Sequence, residues 1–590
     1  VRQRSRQGFA WLKEHDEIYL SLLALVVGVL AGYAALMLRY GIEVVAQLWT
    51  GEQAWEDAIG AIPWYIYIVA PTSAGLLVGL INHYMLPGGE LRGVAGVLSD
   101  LVERNARINP KQLTTETIGT ALSAGSGASL GREGPTVALG AVISSMIGNR
   151  LGLPEQHMRT LIGCGVAGGI AASFNTPIAG VLFALEVILA DYAIATFSPI
   201  VLSAVVATVI TRAELGNYPA FTIPNYSLIS AWEIPAYIGI GAICGLISVV
   251  LIKSLGPART LFASLVKDRR FRPAFAGLLI GLIGLALPQV MSIGYGTVES
   301  MLLEGVDPVI MGATLPLAAF LAIVLIGKLL ATVISFSGGF SGGLLGPTLF
   351  LGAAAGALFG GIAHDIAPAY SESYGAYALV ACGALTAASL QAPITMILMV
   401  FELSGDYHIM VPLMAACIVA TLVKRMFGRE SVFTESLAER GIETSGGLER
   451  AWMRSVRVTE IPWRAIPSVL GAARLEELKQ VYVSSGKGCV QVVDDDGLML
   501  GIVTFEDLQS WMLDSSLDQV VVASEVCNSK VRTISEHGNL LEAIRVLDHE
   551  SFEQLPVVAR DNPKKMLGIL SRNAVFSTYH KLIVKRGEKG

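Results

Sequence analysis

The sequence predicts an all-helical domain that crosses a membrane many times, followed by a small soluble α/β tail. Of its 590 residues, 53% are hydrophobic and 15% charged, against roughly 25% charged in an ordinary soluble domain. Apolar runs recur from Ile18 to about Lys424. Several approach the ~20 residues that span a bilayer, and others are shorter and broken by Gly or Pro. Near Arg457 the composition changes to short strand-like segments separated by turns. The expected division is an N-terminal segment over 1–17, a membrane domain over 18–445 and a tail over 446–590. The membrane halves fall at about 18–212 and 232–440, and the tail units at about 456–513 and 525–582.

Arg2, Arg4, Arg6 and Lys13 precede the first apolar run, which by the positive-inside rule puts that end in the cytoplasm. Residues 1–17 read as an interfacial helix or an arm. Tyr19–Met37 and Trp64–Ile81 are the first long runs. Residues 83–112 form a polar interruption with Arg92, Glu103, Arg104, Arg107 and Lys111, expected on the cytoplasmic side.

The next stretch organises the chain: Gly125 to Ala141 reads GSGASLGREGPTVALGA. Its one ionisable pair is Arg132–Glu133, and a carboxylate inside a membrane is costly enough to need a function. Glycine lets backbone come close to a ligand, and Pro135 suits the first turn of a helix. A helix beginning here presents free N–H groups and partial positive charge. That is an anion site, with a titratable acid where an anion would bind. The plain alternative is a loop between two helices with an incidental Arg–Glu pair. Downstream, Leu161–Glu186 is rich in small residues that allow close helix packing. Residues 213–231 read as a periplasmic loop, and 255–273, with Lys267, Arg269, Arg270 and Arg272, as a cytoplasmic one. Further apolar runs are Ile234–Ile252, Phe275–Met291, Leu315–Ile334 and Met410–Val423.

The membrane part contains an internal repeat. Gly134–Ala141 (GPTVALGA) matches Gly346–Ala353 (GPTLFLGA), Ala171–Ile178 (AASFNTPI) matches Ala387–Ile394 (AASLQAPI), and Glu186 matches Glu402. The alternative is chance similarity of Gly- and Ala-rich segments; three matches in one order argue against it. Duplicated halves with interrupted helices point to a substrate site at the repeat interface. Two helix N-termini facing one site favour an anion, and no acidic ring or carbonyl filter favours a cation.

In the tail, Cys489–Val493 and Gly501–Asp507 are echoed by Leu555–Val558 and Gly568–Ala574. Each set reads strand, turn, strand, helix start, with Thr504 and Ser571 at N-cap positions. Asp494, Asp495 and Asp496 fit a solvated hairpin turn. The six cysteines lack metal-ligand spacing and read as packing residues. A net charge of −6 with no basic patch gives no support to nucleic-acid binding. No nucleophile–base pair, metal cluster or P-loop supports an enzyme.

Gly131-Arg132-Glu133-Gly134-Pro135, Gly342-Gly343-Leu344-Leu345-Gly346-Pro347 and the segment Gly163–Glu186 together resemble the CLC family of chloride channels and proton-coupled chloride transporters. The resemblance covers roughly residues 18–440, and the tail resembles a tandem pair of CBS domains. It implies two inverted halves of tilted, broken helices, an anion pathway in each subunit and a homodimer. It further implies a multi-pass protein of the inner (cell) membrane with both termini cytoplasmic, whose partners are lipid and small inorganic anions.

Carried over by motif, Glu133 falls on the gating glutamate. Gly131, Arg132, Gly134 and Pro135 surround the outer anion positions, and Leu344 and Leu345 fall where second-half amides coordinate the anion. The loop that usually brings a serine to the central anion has no clean match: an ungapped alignment on Gly96-Val97-Leu98 puts Gly89 there, and a shifted one puts Arg92. Phe433 aligns with the central tyrosine. The inner proton glutamate is replaced by Val187, with Glu186 matching the preceding structural residue. The leading expectation is therefore channel-like conduction of chloride gated by Glu133. The alternatives are proton/chloride antiport by a non-standard inner route, and a CBS-regulated transporter of nitrate, bicarbonate or fluoride. No cofactor is required. Some CBS pairs bind adenosine nucleotides through a Thr/Ser and an Asp; here Thr504 and Asp507 are kept and Ala574 replaces the second acid, which implies weak binding at most.

Overall fold

The computed structural model describes the chain apart from residues 1–15, 87–92, 218–220, 222, 225, 227–232, 367–372, 441–452, 455, 513–515, 550–552 and 589–590. It divides into two compact units, Val1–Gly447 and Leu448–Gly590.

The first unit is helical. It begins with α1 (Asp16–Thr50), α2 (Trp64–Met85), α3 (Gly93–Glu103), α4 (Lys111–Gly125), α5 (Glu133–Leu151) and α6 (Glu155–Phe174). Next come α7 (Pro177–Phe183), which continues as a π-helical turn over Ala184–Leu189, and α8 (Ile194–Leu215). The second half holds α9 (Ile234–Leu265), α10 (Arg272–Ala286), α11 (Tyr295–Leu302), α12 (Leu317–Ser337), α13 (Leu345–Ile366), α14 (Tyr374–Leu390), α15 (Pro393–Ser404), α16 (Met410–Met426) and α17 (Glu435–Ala438). A hairpin of β1 (Val309–Ile310) and β2 (Ala313–Thr314) precedes α12. Six helices among the described residues are long and apolar enough to cross a membrane: α1, α2, α8, α9, α12 and α13. Leu22, Val26, Tyr33 and Met37 are exposed on α1, as expected of a face whose solvent is lipid.

Two segments gain detail. The polar interruption at 83–112 contains the helix α3, whose Val94, Val97, Leu98 and Leu101 are buried; their helical spacing hides among the charges that flank it. The basic segment at 255–273 begins as the last turns of α9, which runs to Leu265. The expected N-terminal segment lies almost wholly outside the described residues.

The repeat appears as matched local geometry. α6 ends on Asn175 (φ 63°) and α14 on Gln391 (φ 59°), both left-handed. Arg212 Nε donates to Asn175 Oδ1 at 2.7 Å, and Arg425 Nε donates to Gln391 Oε1 at 2.9 Å. A proline-led helix follows each turn, because proline suits a first helical turn whose N–H groups have no intrahelical partner. Those free N–H groups are met by the other half. Glu402 accepts from Ile178 N (2.9 Å) and Ala179 N (2.7 Å) at the start of α7. Glu186 accepts from Ile394 N (3.3 Å), Thr395 N (2.8 Å) and Thr395 Oγ1 (2.6 Å) at the start of α15. Each half thus caps a broken helix of the other, and a carboxylate at a helix N-terminus is favoured by the helix dipole.

The second unit holds two three-stranded sheets of the same order. In one, β3 (Ser468–Leu470) is parallel to β4 (Cys489–Val493), which is antiparallel to β5 (Met499–Thr504). The other repeats this with β6 (Ile534–Ser535), β7 (Gln554–Val558) and β8 (Met566–Ser571). The helices are α18 (Leu475–Ser485), α19 (Phe505–Gln509), α20 (Ala523–Val526), α21 (Leu540–His549) and α22 (Arg572–Glu588). The β4–β5 turn is organised by Asp494, whose carboxylate accepts from Leu498 N (2.8 Å) and Asp496 N (3.1 Å).

Candidate functional site

The two Gly-rich motifs of the repeat meet in space. Gly131 N donates to Gly343 O at 2.8 Å and Gly343 N donates to Gly131 O at 2.7 Å. This reciprocal pair joins the segments that lead into α5 and α13, so the two helices begin side by side. The first turns match as well: Thr136 N donates to Arg132 O and Thr348 N to Leu344 O, both at 3.0 Å. Glycine is required by distance here, not by φ. A Cβ on Gly343 would lie 2.8 Å from Gly134 N, and one on Gly134 would lie 3.1 Å from Gly343 Cα. Two helix N-termini converge, so their partial positive charges add in an apolar surrounding where screening is weak.

Glu133 is the first residue of α5 and is wholly buried. Its Oε1 accepts a hydrogen bond from the Tyr295 hydroxyl at the start of α11. Its Oε2 is buried without a partner among the described residues. It lies against the junction of the two motifs: a Cβ on Gly346 would sit 3.3 Å from Oε2 and 3.3 Å from Gly131 Cα. Gly131, Arg132, Glu133, Gly134, Pro135, Leu344 and Leu345 are thereby brought into one cluster, with Leu344 and Leu345 buried. The Arg132 guanidinium is half-buried, 5.7 Å from the centre of the Tyr295 ring. Phe433 is buried with its ring edge-on to Phe183 at 6.2 Å, on a segment fastened to α14 by Val432 N donating to Ser389 O (3.0 Å). Gly89 and Arg92 lie outside the described residues; just beyond them, Gly93 N at the start of α3 donates to the buried Glu116 carboxylate at 2.7 Å.

A cavity of about 580 Å³ reaches this region. Its walls include the chain from Phe336 to Gly342, the residue next to Gly343. They carry Arg259, Arg269, Arg272 and Arg440 against two carboxylates, Glu116 and Glu439. Arg259 is engaged with Glu435 and Glu439, which ties α9 to α17, the helix that follows Phe433.

Two residues of this site carry no expectation from the sequence. Tyr295 sits in Gly294-Tyr295-Gly296, where only the fold reveals that its hydroxyl reaches Glu133. Lys328 is fully buried in α12 and donates to the carbonyls of Val290 (3.1 Å), Ser292 (3.0 Å) and Ile293 (3.2 Å). A lone charge inside the apolar run Leu315–Ile334 was the available signal for it. In the second unit, Thr504 N and Oγ1 both donate to Asp507 Oδ2 (2.8 and 2.7 Å), so the two residues expected at a nucleotide cap each other. Among the described residues, no cluster of three or more His, Cys, Asp or Glu could hold a metal.

The chain is similar to known proteins along both units. Residues 74–425 match the family model described as voltage gated chloride channel. Residues 458–514 and 523–581 each match that of the CBS domain. A ClcB-like protein of Ralstonia nicotianae is 34% identical over 388 residues, covering 65% of this chain and 88% of its own. Chloride channel protein CLC-f of Arabidopsis thaliana is 28% identical, covering 95% of this chain and 80% of its own. The crystal structure of a slow cyanobacterial Cl⁻/H⁺ antiporter shares the fold of the membrane unit at a TM-score of 0.63 and 23% identity, covering 72% of this chain and 97% of its own. By these matches this chain belongs to the CLC (voltage-gated chloride channel) family, with two CBS domains following its membrane unit.

Proposed function

We propose that each chain carries chloride or a similar small anion along a pathway closed by the Glu133 carboxylate. The observation that carries this is the buried carboxylate set against two converging helix N-termini, with one oxygen left without a partner. An ionised carboxylate there does what a bound anion would do; once neutral or swung aside, it leaves the amide-lined position to chloride. Gly131, Arg132, Gly134, Pro135, Leu344 and Leu345 line that position; Phe433 serves the central anion in this reading, as Gly89 does by its place in the sequence alone. The arginine-lined cavity raises the local concentration of anions on one side.

Conduction is channel-like in this reading. Val187 stands where an inner proton-carrying acid would, and the neighbouring Glu186 carboxylate is committed to the start of α15. Proton/anion antiport is the second reading. It is favoured by the fold shared with a Cl⁻/H⁺ antiporter and requires an inner route other than Glu186. Nitrate, bicarbonate and fluoride remain as alternative cargoes. The protein works as a homodimer in the inner membrane with both termini in the cytoplasm; exposed apolar residues on α7, α8, α15 and α16, such as Ile178, Val209, Ile394 and Leu422, support a partner or lipid there. Thr504 and Asp507 offer at most a weak adenosine nucleotide contact.

The test is anion efflux from liposomes for wild type and Glu133→Gln, with pH and anion varied. The neutral side chain is expected to leave the path more open and remove the proton dependence. Unchanged flux and pH response would refute the gating role. A zero-current voltage that shifts with a proton gradient would favour antiport over conduction.

A further inference from the structure

We propose that Tyr295 is the latch of the gate: its hydroxyl holds the Glu133 carboxylate in the closed position, and opening requires that bond to break. This rests on the reading of Glu133 as the gate and adds a residue that sets how readily it opens. Among the described residues, Tyr295 donates the only hydrogen bond this carboxylate receives. A buried carboxylate depends on such a donor, because each lost bond leaves charge in a poorly solvating surrounding. Protonation of Glu133, or an anion entering beside it, weakens the need for the phenol and frees the side chain to leave.

The latch is fastened at several points, while the carboxylate it holds has one partner among the described residues. Tyr295 opens α11 directly after Gly294, whose φ of 85° belongs to the left-handed region. A Cβ on Gly294 would meet Phe350 at 2.7 Å and Lys328 Nζ at 3.1 Å. The turn before it is fixed on two sides. Lys328 gathers the carbonyls of Val290, Ser292 and Ile293 and rests 4.6 Å above Phe350. Ser292 bonds to Gly127 O through its N–H and to Ala124 O through its hydroxyl, both at 2.9 Å. The Tyr295 ring is set edge-on against Phe221 at 4.8 Å. Glu133, in contrast, has one oxygen without a partner. Among the described residues, the phenol–carboxylate bond is the one hydrogen bond that joins the two.

The charged groups around this pair are few. Arg132 faces the Tyr295 ring, Lys328 holds the turn from α12, and Glu56 faces Lys328 beside Gly296. On α1, Arg39 and Glu43 pair with each other, while the surfaces of α13 and α6 nearby present Gly346, Phe350 and Phe174. Replacing the hydroxyl of Tyr295 by hydrogen leaves all of these in place, so a change in proton response reports the phenol.

The experiment measures chloride efflux from liposomes between pH 4.5 and 8 for full-length wild type, Tyr295→Phe, Glu133→Gln and the double variant, each checked for a single symmetric elution peak. Tyr295→Phe is expected to raise flux at neutral pH on the order of tenfold. It should also move the midpoint of the flux–pH curve upward by about one unit. In the Glu133→Gln background the same change should alter flux less than about twofold. Should Tyr295→Phe elute poorly, 3-fluorotyrosine at position 295 keeps the ring, donates more strongly and should move the midpoint downward. The latch is overturned if both position-295 changes leave flux and midpoint at wild-type values while Glu133→Gln opens the path. It is also overturned if the gain from Tyr295→Phe persists undiminished without the carboxylate. A Glu133→Gln protein that behaves as wild type instead overturns the gate.

Discussion

Replacing Glu186 should weaken the membrane unit without touching proton response. The carboxylate accepts three hydrogen bonds at the start of α15, from Ile394 N, Thr395 N and Thr395 Oγ1. Glu186→Ala leaves two main-chain donors and one hydroxyl without that acceptor. The bond at 3.3 Å is weak and the site is half-buried, so water recovers part of the loss. Two good charge-assisted bonds and the dipole interaction remain to be lost, about 2–4 kcal/mol together. With an unfolding entropy of ~2.1 cal/mol/K per residue, a unit of this size should melt roughly 2–4 °C lower. Glu186→Gln keeps one acceptor oxygen and should lose about half as much. The assay is a thermal melt of the detergent-purified full-length protein, read as the surviving size-exclusion peak. Glu402→Ala, the counterpart that caps α7, should fall by a similar amount. The reasoning is refuted if Glu186→Ala melts as wild type. It is refuted more instructively if Glu186→Gln melts as wild type yet abolishes the pH response of flux, because the carboxylate would then carry protons and not a helix start.

Three further outcomes follow from the geometry. Gly343→Ala drives a Cβ to 2.8 Å from Gly134 N and should reduce stability by about 1–3 kcal/mol, read as a lower melting point and lower yield; wild-type behaviour would mean that the two motifs are not pressed together. Calorimetric titration of the full-length protein with ATP should reveal no tight site, since Thr504 and Asp507 satisfy each other and Ala574 supplies no acid; two tight sites would refute this. Burial pushes the Cys489 thiol up to about 11, so its thiolate is scarce at pH 7–8 and increases only as pH approaches that value. Alkylation followed by mass spectrometry should find Cys489 unmodified near neutral pH while Cys527, partly exposed although burial raises its thiol as well, reacts faster; rapid modification of Cys489 would contradict the burial.

Much of this protein was legible in its sequence because the relevant physics is local or repeats. Long apolar runs must become helices in lipid. Gly134-Pro135-Thr136 and Gly346-Pro347-Thr348 both fit helix starts, and Glu133 stands out as a carboxylate in an apolar setting. The helix α3 was legible through the resemblance at Gly96-Val97-Leu98, while flanking charges masked its buried face. Pairings between distant residues are of another kind. That Gly131 and Gly343 exchange hydrogen bonds, that Glu186 and Glu402 cap helices of opposite halves, and that Tyr295 reaches Glu133 depend on how the two halves wrap around each other. The chain order holds the residue types and the helix ends, because those follow from backbone sterics and solvent. Which end meets which carboxylate is decided only when packing brings together segments more than a hundred residues apart, and the hydrogen bonds that then form are set by distance in space.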